Sequence, residues 1–470
     1  MRRGVEAVNR QFCLSCTWWL GCVAALGLAS GCGSDSMYGD GGDANAAVTT
    51  PAGVQSGDVS VVYILTGEDD STTDINVSYS RDGVVYRQAT DAGTGDGTQN
   101  LSVSDTGAVH TFVWDSANDM PGEREENVVI RVRPENGDSD QTTSVTVHNA
   151  RYLVGVEDEE IGRVRLYSVD NFDGDVVSIA NYPTNGTYPH DVIHDDGYFF
   201  VVHRFSNDVA VFELDEENDS LIEVERSPFH TDGIGSRYLA TDGDFVFVSN
   251  TDSDTITVFE FSPSAGELTL SPFSNMSVAD VEGIIVRSNR LYAASEASDQ
   301  ILIFDIMSDG ELLTNAASPI TGSGLSQPGT FARYGSVLYV ANRGASTICA
   351  FSVDGSGGLT AVAGSPFTAS GLVERLAVGG GTLVGTRGET AELLVFSIDT
   401  VGALTELASS PIALGGSSFT VVATSAVVVA PTTTPEELEV FTIDSTDDLV
   451  ETSDNPENAS APLLRAAFSN

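Results

Sequence analysis

The strongest constraint on this chain is a repeat of about 46 residues that runs through its second half. The clearest copy is Leu338 to Phe367, LYVANRGASTICAFSVDGSGGLTAVAGSPF. An apolar run, Leu338 to Ala341, ends at turn-prone Asn342 and Gly344; an alternating run, Thr347 to Val353, ends at Asp354-Gly355. A third short run, Leu359 to Val362, leads into Ser365-Pro366-Phe367, where a proline cannot donate to a ladder and so closes the unit. The aromatic of the second run recurs as Tyr167, Phe212, Phe259, Phe304, Phe351, Phe396 and Phe441, with spacings of 45, 47, 45, 47, 45 and 45 residues. The proline follows each time, as Pro183, Pro228, Pro272, Pro319, Pro366, Pro411 and Pro456. Seven copies of a small sheet that cannot bury its faces alone predict a β-propeller over residues 150–470.

A fourth strand stands before each next copy, beginning near Pro189, Ser236, Val281, Pro328, Val373, Ser417 and Ala461. The first copy, opening at Arg151, lacks one. Leu463 to Phe468 is therefore expected to pair with Tyr152 to Val156 and close the ring, removing free sheet edges.

The segment before the repeats divides into three parts. Arg2, Arg3 and Arg10, an apolar or small stretch from Phe12 to Ser30, and Leu28-Ala29-Ser30-Gly31-Cys32 read as an exported leader, residues 1–31. Residues 32–57, rich in Gly, Ser, Asp, Ala and Thr, read as a disordered tether. Short alternating runs between 58 and 149, including His110 to Ser116 around Trp114, predict an antiparallel β-sandwich with Trp114 in its core. The fold class expected is all-β: a seven-bladed propeller preceded by a small sandwich.

Charge narrows the partners. With 68 acidic residues against 21 basic ones, all of them Arg, the formal charge is -47, so nucleic acid is excluded as a partner. The acidity is read as a solvated surface. Cys13, Cys16 and Cys22 fall inside the leader, so Cys13-x-x-Cys16 is not read as a redox or zinc motif; Cys349 is expected as a small buried hydrophobe. His190, His194 and His203 are close in sequence, but two of them straddle the turn at Asp195-Asp196-Gly197, and they are read as ordinary surface or channel residues. No metal and no cofactor is expected.

In a propeller, the opening residues of the inner strands face a shared funnel. The candidates there are His190, Arg237, Glu282, Thr330, Glu374 with Arg375, Ser418 and Leu463. One imidazole beside guanidinium and carboxylate groups suits an anionic or polyhydroxyl ligand, with His190 able to act as a base near neutral pH.

Three resemblances add to this reading. Leu28-Ala29-Ser30-Gly31-Cys32 resembles the lipobox of bacterial lipoproteins, which implies cleavage before Cys32 and a lipid anchor on it in the cell envelope. The sandwich resembles fibronectin III or immunoglobulin-like modules. The repeat units, with Pro189-His190 and Ser236-Arg237-Tyr238, resemble the seven-bladed lactonase family of 6-phosphogluconolactonases and carboxymuconate cyclases. That resemblance implies lactone-ring chemistry at the channel mouth by a His, two Arg and a Glu, with His190 and Arg237 as the matching catalytic candidates.

The chain departs from the family pattern twice. Asn250-Thr251 stands where the family has Asn-Glu, and Ala294-Ser295-Glu296 stands where it has Asn-Arg-Gly, which occurs one blade later as Asn342-Arg343-Gly344. Arg343 is therefore read as a turn residue bordering the channel mouth, and the Leu338 stretch as a structural unit. The leading expectation is a lipid-anchored, monomeric propeller that binds a ligand or protein partner at the channel mouth without catalysis. The alternative is an extracytoplasmic lactonase.

Overall fold

The computed structural model describes residues 44–469 apart from 56, 70, 121–123, 150, 158–159, 170–173, 217, 388–389, 434, 445, 453–456 and 459–462. The expected leader, Cys32 and the first part of the tether lie outside the described residues.

One sequence boundary moves. Asn45–Val48 lies inside the expected tether, yet it pairs antiparallel with Tyr63 to Thr66, and Val54–Gln55 runs parallel to Thr146 and Val147. Only small side chains, Ala44, Ala46 and Val48, pack on the core here, so composition does not reveal it; the backbone does the pairing. Ala44 donates to Asn136 O and Ala46 to Asp138 O, and Ala44 is 1% exposed. Gly137 makes this approach possible, since a Cβ there would stand 1.8 Å from Ala44 O.

These strands complete two sheets that enclose one core. Asp58–Thr66 and Ala108–Asp115 face Ile75–Ser80, Arg124–Pro134 and Val145–His148 across Val59, Val61, Tyr63, Val77, Phe112, Val128 and Ile130. Trp114 is fully buried in this core, stacks on Tyr79 and donates from Nε1 to Asp119 Oδ2 at 2.6 Å.

From Arg151 on, the described residues form one four-stranded and six five-stranded sheets. Each is a blade. The fifth strand of the larger blades is a two-residue piece such as Phe367–Thr368, which folds back onto Thr347 and Ile348 just after the repeated proline. The proline thus redirects the chain rather than ending the blade.

Blade 5 shows why the repeat reads as it does. Val337–Asn342 is buried at every position because neighbouring blades cover both faces of the sheet. Leu338, Val340, Cys349 and Phe351 pack against Tyr292, Ile301 and Ile303 of blade 4. Tyr339, Ala341, Ile348 and Ala350 pack against Leu383, Leu394 and Phe396 of blade 6. The recurring aromatic is therefore a plug between blades. Cys349 is fully buried, as expected, and burial pushes its thiol pKa up.

Asn342 is more than a turn former. Its side chain is fully buried, donates to Gly324 O at 3.0 Å and Thr347 Oγ1 at 2.8 Å, and accepts from Ser326 N–H at 3.1 Å. Asn250 does the same work in blade 3 through Ser236 and Thr257. In blade 2 the place is taken by His203, 2.7 Å from Asp208 Oδ1 and 2.6 Å from Thr184 Oγ1. A buried polar side chain at this strand end clasps the following strand and a nearby loop or inner strand.

The ring closes as the repeat predicts. Leu463–Phe468 pairs antiparallel with Arg151–Glu157, becoming the inner strand of blade 1, which carries the first strands of the repeat region. Leu463 is fully buried and lies against Gly155, where an added Cβ would come within 2.4 Å of it. Leu463→Ala should therefore cost about 2–4 kcal/mol in a denaturant titration. An unchanged midpoint would show that the closing strand contributes nothing to stability.

Candidate functional site

Seven inner strands converge on the axis, and their pairing register decides what they present. In blades 2 to 5 the ladder slips between Pro189 and Asp191, Ser236 and Tyr238, Val281 and Ile284, and Pro328 and Phe331; in blade 1 it slips opposite Val156 and Glu157. Such a bulge sets two residues of one strand against one of its partner and breaks strict in–out alternation. Adjacent residues, His190 with Asp191 and Arg237 with Tyr238, consequently both join the axial cluster.

The result is two layers. The inner layer is a ring of one residue per blade, Asp191, Tyr238, Gly283, Thr330, Arg375, Thr420 and Arg465, around a cavity of about 210 Å³. Gly283 is required there by space, because a Cβ would lie 2.4 Å from Gly329 O of the next strand. The outer layer is His190, Arg237 and Glu282, joined by Arg343 and Glu296 from strand-end loops.

In the outer layer the charges interlock. Glu282, 8% exposed, has Arg237 Nη1 at 3.6 Å from one oxygen and Arg343 Nη1 at 3.5 Å from the other. Arg343 also lies 3.6 Å from Glu296 and donates to Tyr238 Oη at 3.1 Å. Burial works against the charge on Arg343, and Tyr238, Glu282 and Glu296 outweigh it, so its pKa is held above its ordinary value. Gly329 leaves the path open, since a Cβ there would stand 2.7 Å from Arg343 Nε. Burial and repulsion from Glu282 raise the Glu296 carboxyl pKa.

His190 is fixed by its neighbours. Nδ1 lies 2.9 Å from the carbonyl oxygen of Arg237, and the ring meets Tyr238 edge-on at 5.4 Å. A carbonyl only accepts, so Nδ1 carries the proton and Nε2 holds the lone pair in the neutral ring. Burial, followed by the positive charges of Arg465 and Arg375, pushes the imidazole pKa well below its ordinary value. His190 is neutral at pH 7.

Several sequence candidates change role. Arg343, read as a turn residue, crosses to blades 3 and 4 and is the most connected cation of the mouth. Leu463 faces the blade interior and Arg465 takes the axial position instead. Ser418 is 1% exposed and donates to Thr420 O at 2.7 Å, so Thr420 lines the cavity and Ser418 does not. The regular inner strand of blade 7 is only Val422–Ala423, and the irregular lead-in shifts the register there. Thr330 lines the cavity and donates to Glu374 O at 3.0 Å. Glu374 takes part through that carbonyl, while Arg375 lies in the ring with its Cζ 4.7 Å over Tyr238.

Thr251 brings no carboxylate to the mouth, whereas Glu282 and Glu296 bring two. Asp191, Tyr238 and Arg465 escaped the sequence reading because a bulge has no composition signal. His194 and His203 have separate surroundings: His203 is clasped as above, and His194 packs 4.7 Å from Phe199, where burial pushes its pKa down to about 4. Among the described residues no group of three or more His, Cys, Asp or Glu is placed to hold a metal ion.

Residues 191–281 match the family model described as Lactonase, 7-bladed beta-propeller. No curated protein matches the chain. Among solved structures, a candidate 6-phosphogluconolactonase of Bacteroides fragilis aligns at a TM-score of 0.58 and 19% identity, over 68% of this chain and 98% of that one. The periplasmic gluconolactonase PpgL of Pseudomonas aeruginosa aligns at 0.57 and 17% identity, over 68% of this chain and 99% of that one. A protein from Lactobacillus plantarum aligns at 0.56 and 17%, with the same two shares. At these identities the likeness establishes the fold: a seven-bladed β-propeller.

The shared carboxylate makes the outer layer a coupled unit. Glu282→Gln should lower stability by about 1–3 kcal/mol, because two partly buried guanidinium groups lose their common counter-charge. Combined with Arg343→Met, the loss should be smaller than the sum of the two single changes. Strict additivity in urea titrations would show that Glu282 and Arg343 do not interact.

Proposed function

We propose that the channel mouth binds a polyhydroxylated or anionic lactone and opens its ring by hydrolysis. The observation that carries this reading is the state of His190: neutral, with Nδ1–H spent on the Arg237 carbonyl, leaving Nε2 as a base inside a cluster containing two guanidinium groups. In the proposed reaction, Nε2 removes a proton from water as its oxygen attacks the lactone carbonyl. The carbonyl oxygen gains the negative charge, and Arg237 and Arg343 stabilise it. The intermediate collapses by breaking the ring C–O bond, and the departing alkoxide takes the proton from His190. Lactone and water thus give the hydroxy acid, with His190 returned to its neutral form. Similarity to lactonase-family propellers supports the same reaction class.

A second reading rests on the pairing of both mouth cations with Glu282, which leaves them less free to polarise a carbonyl: the site binds the same ligand class, or a protein partner, without turning it over. Both readings place the protein outside the cytoplasm, anchored by lipid on Cys32 with the sandwich as a spacer. The lipobox-like segment supports the anchor, and similarity to a periplasmic gluconolactonase supports the compartment. Among the described residues no helix is long and apolar enough to cross a membrane.

Purified protein assayed on a panel of aldonolactones should show turnover that falls at least 100-fold in His190→Ala, in line with loss of a general base. Equal rates in the two proteins would overturn hydrolysis; ligand binding without turnover would favour the second reading. The sign of the pH effect follows from the lowered His190 pKa. Enzymatic turnover should stay level from pH 8 down past the ordinary imidazole value near 6.5 and fall only in more acidic solution, as His190 takes up a proton. An inflection above pH 7 would contradict the assignment. For the anchor, Cys32→Ser should move the protein from the membrane fraction to the soluble one; unchanged fractionation would refute lipidation.

A further inference from the structure

The inner ring has a charge imbalance that the outer layer does not share. Arg375 and Arg465 bring two positive charges to the cavity and Asp191 brings one negative charge. Two observations bear on this excess. No described residue accepts a hydrogen bond from Nε or Nη2 of Arg375, although both atoms are buried. Burial and repulsion by Arg375 push the Arg465 guanidinium pKa down to about 9, even though Tyr238 and Asp191 pull it the other way. A guanidinium normally stays charged far above that value, so the two cations are buried close enough to repel each other.

The surroundings suit a small anion. Arg465 is 8% exposed and is held by the Phe419 carbonyl, with Nη1 at 2.9 Å, while Arg375 is held over the Tyr238 ring. Both side chains are therefore positioned in advance, so little side-chain entropy is lost on binding. The hydroxyl-bearing Thr330 and Thr420 share the wall with apolar side chains such as Ile284, Phe331, Leu376 and Val421. Asp191 is engaged by the backbone N–H of Leu239 at 3.1 Å. A cavity of about 210 Å³ has room for a carboxylate, sulfate or phosphate group with water beside it. The chain as a whole is strongly acidic, so long-range attraction does not gather anions nonspecifically here; the site has to work by contact.

We infer that the axial cavity is an oxyanion-binding subsite in which Arg375 and Arg465 together hold one carboxylate, sulfate or phosphate group. Placed one residue inward from His190, the subsite would anchor a charged group of the ligand while the rest stays in the mouth. In that respect it builds on the lactone reading, but anion binding itself does not require that reading.

The test uses isothermal titration calorimetry on the folded full-length chain without its leader, in a chloride-free zwitterionic buffer. Sodium acetate, sodium sulfate and sodium phosphate are titrated separately, so that the preferred anion identifies the source chemistry. At least one should bind saturably at one site per chain. Arg375→Gln, checked for native near-ultraviolet circular dichroism, should weaken that binding at least tenfold, whereas His190→Ala should retain it. Equal affinity in Arg375→Gln, or no saturable binding of any of the three, overturns the subsite. Because Arg465 sits on the closing strand, Thr330→Val serves as the second variant, and a several-fold loss is expected without loss of fold. The outcomes are separable from lactone hydrolysis. Anion binding that depends on Arg375 without lactone turnover supports the subsite and refutes hydrolysis; turnover of neutral lactones with no anion binding does the reverse.

Discussion

The pairing of Leu463–Phe468 with Arg151–Glu157 is the contact on which the rest of the propeller depends. A blade sheet is apolar on both faces and has no stable existence outside the ring, so every blade needs two neighbours. Joining the last strand of the chain to the first sheet of the repeat gives each blade those neighbours. It also carries Arg465 to the axis beside Asp191, residues separated by most of the propeller in sequence. Closure is therefore both the main structural constraint and the event that assembles the cavity.

Chemistry at the axis rests on a second device, the slip in the inner-strand ladders. A regular strand would send His190 and Asp191 to opposite faces, and likewise Arg237 and Tyr238. Repeated bulges bring both members of each pair to the axis and give the cavity two layers of different character. The outer layer is a near-neutral lattice organised by Glu282, in which Arg237 and Arg343 are held in place and His190 is kept neutral. The inner layer carries the unbalanced guanidinium groups. Those cations also act on the outer layer, since Arg465 and Arg375 help to depress the His190 pKa. His190 and the two inner arginines are thus electrostatically linked.

The contrast with the surface is part of the same logic. A chain with 68 acidic residues and 21 arginines gathers four of those arginines, Arg237, Arg343, Arg375 and Arg465, around one axis. Three of them are brought by inner strands, while Arg343 comes from the very motif that had looked like a turn. Concentrating scarce cations where water is restricted strengthens each interaction with an anionic group, because screening is weakest there.

The sequence by itself determined the repeat, and with it the number of blades, the plugs between them and the identity of the closing strand. These features follow from local patterning: periodic aromatics, apolar runs covered on both faces, and one strand without a unit after it. It also pointed to His190, Arg237, Glu282 and Arg375, because strand starts in a propeller face the axis. Only the tertiary structure decided that Asn45–Val48 belongs to a sheet, that Arg465 rather than Leu463 meets the cavity, and that Arg343, a mouth candidate in the sequence, reaches across to Tyr238, Glu282 and Glu296. Backbone pairing of small residues, a one-residue slip in register and a side chain reaching across two blades leave no mark on local composition. They arise from how strands meet, which is a property of the closed ring.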